Sequence, residues 1–495
     1  MYPENGYESP QSRDEAIFFG QGEPTDAASE GRRRTAFAGS DDNTLVDKNE
    51  NNTSSEAGND ETSMQDGERE EPVDEEGGKK KIGFRDRISC YTWTWFTLTM
   101  ATGGIANVLH TVPYQSKWLR VIGTIIFLFN VLLFLLNCFF ITLRFKWNPG
   151  SLKASFTSPS ESLFIPAAVV TLGTMFTNMA QYGIPHTGPW FQTVMQVLFW
   201  SYASISFIAS SGMYLIIWST QTFPIHTMTP IWIFPAYPAL MLAPMASSII
   251  SALPDAAAAQ RINATAIAFG AVTIQGTGYM VSLMIYSAFI YRLMTQKLPR
   301  ESTRPGMFVS VGPSGFTVAG LVGLGSNLNK ILPDGYQGNA DATSILELLS
   351  LMVGLWIWGL CLWFFLVSIG AHWSVMKPYD EKHHIHFDMT WYSFVFPNTA
   401  LITATFAIGK ALESKAIRIF GTVLSVLIVG LWLFIFFMMI RSLVFNRILW
   451  PGEIDGSEIS WRKWMGKIEN ITKAHKSKED RNGSRAGGMI PIGGR

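Results

Sequence analysis

The stretch "WYSFVFPNTALITATFAIGK", Trp391 to Lys410, decides how this chain is read. From Met389 to Gly409 there is no Asp, Glu, Lys or Arg. A helix of about 20 apolar residues crosses a bilayer, so the run is long enough to span one. Yet Pro397 and Asn398 stand in its first half. A proline there removes a backbone hydrogen bond, and an amide is costly in hydrocarbon. Such residues belong in a membrane helix only where protein or water meets the disturbed backbone.

Seven more charge-free runs surround this one: 88–116, 121–143, 162–254, 262–291, 305–329, 348–376 and 419–440. The longest, 162–254, holds three spans separated by "GIPHTGP" (183–189) and "TFPIHTMTP" (222–230), which carry the Gly/Pro punctuation of loops. One span for each other run predicts ten transmembrane helices. Only 15% of the 495 residues are charged, against about 25% in an ordinary soluble domain. Most of those charges lie before Arg87 or after Arg441. An integral, all-α membrane protein follows. With a net charge of zero, nothing calls for nucleic acid.

The ends read differently. Residues 1–80 lack the apolar core of a secretory signal. They lead into the polar, acidic "DDNTLVDKNENNTSSEAGNDETSMQDGEREEPVDEEGGKKK" (41–81), which cannot bury enough surface to offset its ordering entropy. They are expected to be a disordered cytoplasmic tail. The membrane domain is expected over 85–456, with a mostly disordered tail over 457–495. Lysine and arginine flanks (Lys79, Lys80, Lys81, Arg85 and Arg87; Arg292, Lys297, Arg300 and Arg304; Arg441 and Arg447) put both termini in the cytoplasm. The short loop with Lys410, Lys415 and Arg418 is then external, against the rule. Cys90, Cys138 and Cys361 sit in or beside apolar runs and read as small buried hydrophobes.

The proline question extends to every span. Odd spans hold interior prolines: Pro166 in the third, Pro235, Pro238 and Pro244 in the fifth, Pro313 in the seventh and Pro397 in the ninth. The first has Gly103-Gly104 instead. Even spans have no interior proline. Broken helices need protein or water around them, so the odd spans are expected inside and the even spans outside, against lipid. Five helical hairpins would then form a quasi-fivefold barrel around a central pore, kinked at Pro313 and Pro397.

Hydroxyls also gather on the odd spans. In the ninth, Phe396, Thr399, Thr403 and Lys410 fall within one helical stripe. In the seventh, Ser310, Ser314 and Thr317 are spaced by four and three. In the first, Thr99 and Thr102 stand beside Gly103. Two readings are open: a polar lumen, or hydroxyls bonded back to their own helix carbonyls. No ionised residue lies deep in an odd span, as a proton relay would require. Arg304 and Lys410 stand at span ends on opposite sides and would attract anions to the two mouths. A lumen of hydroxyls with basic mouths suits an anion that must both enter and leave.

Five segments carry a resemblance: "YTWTWFTLTMATGG" (91–104), "IQGTGYMVSLMIY" (274–286), "RPGMFVSVGPSGFTVAGLVG" (304–323), "WYSFVFPNTALITATFAIGKAL" (391–412) and "LWPGEIDG" (449–456). In this order they resemble the tellurite-resistance/dicarboxylate transporter family, and within it the fungal malic acid transport branch. The resemblance covers about 85–456. It implies ten helices in five hairpins, odd helices lining a pore, and no enzymatic activity or cofactor. It also implies a plasma-membrane location, a homotrimer, and C4-dicarboxylate anions such as malate as substrates. Sulfite export, found in another branch, stays open because "PY" followed by "WLR" (113–120) is similar to the sulfite pumps. In the channel branch a phenylalanine just before the ninth-helix proline plugs the pore. Its match here is Phe396.

Two other classes remain to be weighed. A membrane enzyme would need histidine boxes converging on a metal. Only "EKHHIHFD" (381–388) gathers histidines, at His383, His384 and His386. The others (His110, His186, His226, His372 and His475) are scattered, so this cluster reads as a solvated loop. A receptor or scaffold using the acidic tail would show no solute flux.

Overall fold

The structure is a computed structural model that describes residues 83–333, 335–373 and 387–449. Both expected tails and the histidine cluster at 383–386 lie outside them. The described residues belong to one unit, Gly77–Arg495. They are mostly helical, with no strand among them.

Ten α-helices are the longest among the described residues. They are α1 (Phe96–Thr111), α2 (Lys117–Trp147), α3 (Pro166–Gly183), α4 (Pro189–Thr220), α5 (Leu242–Ala252), α6 (Ala264–Gln296), α7 (Val311–Gly325), α8 (Ala342–His372), α9 (Phe396–Ala411) and α10 (Lys415–Val444). Eight helical units among the described residues are long and apolar enough to cross a membrane. They contain α2 to α8 and α10; α3, α5 and α7 are counted with the short turns that precede them. The other two, α1 and α9, have 16 residues each. The chain is a multi-pass membrane protein.

Even and odd helices differ in length and continuity. The even helices run unbroken for 30 to 33 residues. Odd helices are shorter, and four of the five are preceded by a tighter 3-10 turn: Trp93–Trp95 before α1, Pro230–Ala236 before α5, Glu301–Ser310 before α7 and Met389–Phe394 before α9; α3 follows the short helix Pro159–Ser162. Within the membrane-length windows, 67–89% of residues are buried for the units of α3, α5 and α7, against 17–39% for the even helices. Large apolar side chains on the even helices, such as Leu128, Ile208, Met284, Leu366 and Val426, are exposed. An exposed apolar face on a long unbroken helix is what lipid requires.

Each odd helix packs on the even helix that follows it. The odd helices also contact one another in sequence: α1 on α3, α3 on α5, α5 on α7, α7 on α9, and α9 on α1. Glycine makes the closest of these contacts possible. A Cβ on Gly315 would stand 2.7 Å from the backbone carbon of Ala400, and one on Gly320 would stand 2.7 Å from that of Ala243. α7 therefore meets α9 and α5 backbone to backbone, as small residues allow in membranes.

Candidate functional site

At the broken starts of the odd helices, side chains donate hydrogen bonds to backbone carbonyls, where hydrocarbon offers no partner. Tyr286 of α6 donates to Ser310 O at 2.7 Å. Tyr202 of α4 donates to Pro238 O at 3.0 Å, and Tyr214 to Trp232 O at 3.1 Å. Asn137 of α2 donates to Trp95 O at 3.0 Å. Tyr237 donates its hydroxyl to Val309 O, tying the fifth span to the seventh. Four of these five donors come from the even helices. The outer helices thus brace the breaks of the inner ones.

The opening stretch fits this pattern. The break lies at Val395, between the 3-10 turn and α9. Pro397 follows in the first turn of α9, where the N–H it lacks would be unpaired in any helix. Pro313 likewise stands third in α7. Asn398 Nδ2 donates to Phe394 O at 2.8 Å across the break. The two residues that looked costly in a membrane span are those that start its second half.

Phe396 opens α9 and is 3% exposed. Its ring lies 5.1 Å from the Phe316 ring of α7 and 6.1 Å from the Tyr237 ring of the fifth span. Tyr237 and Phe316 meet edge to face at 6.3 Å. Three odd units therefore bring one ring each to a single cluster. Phe394 points elsewhere, to Phe308 at 5.3 Å and His372 at 5.2 Å.

The hydroxyls singled out in the sequence are buried, and most bond to their own helices. Thr99 donates to Phe96 O, Thr102 to Leu98 O, Ser310 to Met307 O, Thr317 to Pro313 O, Thr399 to Phe396 O and Thr403 to Thr399 O. Several have a second contact that shows their direction. Thr99 pairs with Thr171 of α3 at 3.0 Å. Thr102 accepts from Trp432 of α10 at 3.2 Å, and Thr317 from Gln275 of α6 at 3.0 Å. Thr399 lies against Gly104 of α1, whose added Cβ would be 2.6 Å from its hydroxyl. Gly103 packs on Thr174 and Asn130. Ser314 is fully buried.

Of the two basic residues, Lys410 is exposed at the C-terminal end of α9. Arg304 is half-buried: its Nε donates to Pro299 O at 3.1 Å, and Glu301 lies 3.7 Å from its guanidinium. Arg304 therefore anchors the start of the seventh span. Lys410 is the one that meets solvent.

Sequence reasoning passed over the polar residues that link helices. Gln181 of α3 donates to Asn107 Oδ1 of α1 at 2.6 Å and to Ser248 Oγ of α5 at 3.2 Å. Tyr237 and Phe316, the partners of Phe396, were also missed. A glutamine inside a charge-free run was the available signal for Gln181 and Gln275. For the two rings there was none, since aromatics are common in spans. No group of metal-ligating side chains occurs among the described residues. The three cysteines are free thiols.

Comparison with known proteins finds a family model and relatives that cover most of the chain. The family model described as "Voltage-dependent anion channel" (SLAC1) matches residues 90–440. The malic acid transport protein of Schizosaccharomyces pombe is 29% identical over 372 residues, covering 75% of this chain and 83% of that protein. A putative malic acid transport protein of the same yeast is 28% identical over 411 residues, 82% of this chain and 92% of that one. The sulfite efflux pump SSU1 of Arthroderma otae is 24% identical over 370 residues, 73% of this chain and 94% of the pump. These relatives are transporters, not enzymes. With the model spanning most of its length, from the first broken span to the last outer helix, the chain belongs to the SLAC1 family of anion channels and transporters.

Proposed function

We propose that this protein carries malate and related C4-dicarboxylate anions across the plasma membrane, through a path between the five odd helices that the Phe396 ring closes. In this reading the five hairpins form a quasi-fivefold barrel around a pore, with both termini in the cytoplasm and three copies per assembly. The observation that carries it is the cluster of Phe396, Tyr237 and Phe316, where three of the inward units converge at the break before α9. A hydrophobic constriction closes a polar path by excluding water. The inner helices carry breaks and buried hydroxyls rather than fixed charge, and Lys410 marks one end.

The choice of anion rests on the relatives. Those named malic acid transport proteins match at 28–29% identity, those named sulfite efflux pumps at 24%. Sulfite export is the second reading, supported by the match over 94% of a pump's length. The test is flux into proteoliposomes with labelled malate, succinate and sulfite. Saturable malate and succinate flux is the expected result. Sulfite flux alone would favour the second reading, and no flux of any anion would refute both.

A further inference from the structure

The segment "IQGTGYMVSLMIY" (274–286) lies on an outer helix, α6, yet one face of it is devoted to the inner units. Gln275, Gly278 and Tyr286 stand at offsets 0, 3 and 11, within one helical stripe. A Cβ on Gly278 would lie 3.3 Å from Ala236 O and 3.1 Å from the Ala239 side chain. Glycine thus lets α6 close on the broken fifth span. Tyr286 holds Ser310 O at the break of the seventh.

Gln275 joins the two. It is 3% exposed. Its Oε1 accepts from the Ala243 N–H at 3.2 Å, and its Nε2 donates to Thr317 Oγ1 at 3.0 Å. The chemistry fixes this orientation, because a backbone N–H can only donate. Thr317 gives its own proton to Pro313 O at 2.7 Å, so it is left to accept. The Ala243 N–H needs an outside partner because the helix breaks at Met241, between Tyr237–Leu240 and α5. One amide therefore satisfies a freed donor on the fifth span and an acceptor on the seventh, and holds the two at a set separation.

Those two spans carry the rings that meet Phe396. Tyr237 precedes Ala243 in the same broken span, and Phe316 is the neighbour of Thr317. We propose that Gln275 is a positioning residue for the gate: it holds Tyr237 and Phe316 at the spacing that seats the Phe396 ring, without touching the anion. This rests on the gate reading given above.

The test is anion conductance at matched surface expression for Gln275→Met, Phe396→Ala and the double variant. Gln275→Met keeps the volume and loses both bonds. It should raise passive conductance about 25-fold, about fivefold for each of the two neutral hydrogen bonds lost. On the Phe396→Ala background it should add nothing, because there is no ring left to seat. Unchanged conductance in Gln275→Met, or an equal rise in both backgrounds, would overturn the proposal; the latter marks general loosening. If Gln275→Met does not reach the surface, Thr317→Val removes one of the two bonds and should show the same non-additivity with a smaller rise. Should Phe396→Ala itself leave conductance unchanged, the gate reading fails and this inference falls with it. A conductive Phe396→Ala beside an inert Gln275→Met refutes the positioning role alone.

Discussion

Replacing Phe396 by alanine separates a gate from a packing residue, because the two predict opposite signs. The ring is 3% exposed and pairs with Phe316 at 5.1 Å and with Tyr237 at 6.1 Å. Each aromatic pair contributes about 0.5–1.5 kcal/mol beyond its area. The two together hold the ring in place by about 1–3 kcal/mol. If that energy keeps a path shut, its loss shifts the closed-to-open balance by about 5- to 150-fold. Whole-cell anion conductance at matched surface expression should rise within that range, while surface abundance stays near wild type. A packing phenylalanine would behave otherwise. Its loss leaves a cavity that costs about 3–5 kcal/mol in soluble cores, and abundance and flux would fall together. The control is Phe394→Ala, whose ring sits against Phe308, His372 and Trp391 and is not part of the Phe396 cluster. It should not raise conductance. A well-expressed Phe396→Ala with unchanged or reduced conductance would refute the gate.

Three further outcomes are expected. Lys410→Ala should weaken apparent affinity for a dianion more than for a monoanion, with the difference shrinking in high salt, since an exposed charge acts through a screened field; flux titrations at two ionic strengths check this, and an equal, salt-independent loss would point to folding. Arg144→Ala should destabilise the protein by about 3–5 kcal/mol, because Glu161 stays buried after losing its two-point ion pair at 2.7 and 2.9 Å; thermal melting in detergent reads the loss, and pairing the change with Glu161→Leu should recover much of it. Gly315→Val should lower surface abundance sharply, since even a Cβ at this position meets the Ala400 backbone at 2.7 Å; quantitative surface labelling measures it, with Gly359→Ala, where a Cβ meets open space, as the comparison.

Much of this was legible in the residues themselves. Charge-free runs mark the spans because an ionised side chain is costly in hydrocarbon at any place along the chain. Prolines stand in or just after the turns that start α5, α7 and α9 because the missing N–H is a local property; the turn before α1 has none. The odd-even alternation followed from those two facts, and burial separates the same helices. Helical spacing placed Thr99, Thr317 and Thr399 on the inner units, where all three are buried.

What the residues could not settle was where those hydroxyls and rings point. Periodicity fixes which side chains share a face of one helix, not which helix stands opposite. Thr102 and Trp432 lie far apart in the chain and share a hydrogen bond; so do Thr97 and the Met389 carbonyl. Arg304 read as a mouth charge; that it also donates to Pro299 O and to Ala371 O of α8 was not in its spacing. The cluster around Phe396 takes one ring from each of three spans, and Gln275 serves two of those spans from a fourth. The sequence alone determined that the chain is a bundle of membrane helices, and which of its inner helices carry a proline near a break. Tertiary structure decided what meets each break, because a backbone group freed in a membrane must be satisfied by whichever side chain packing brings to it.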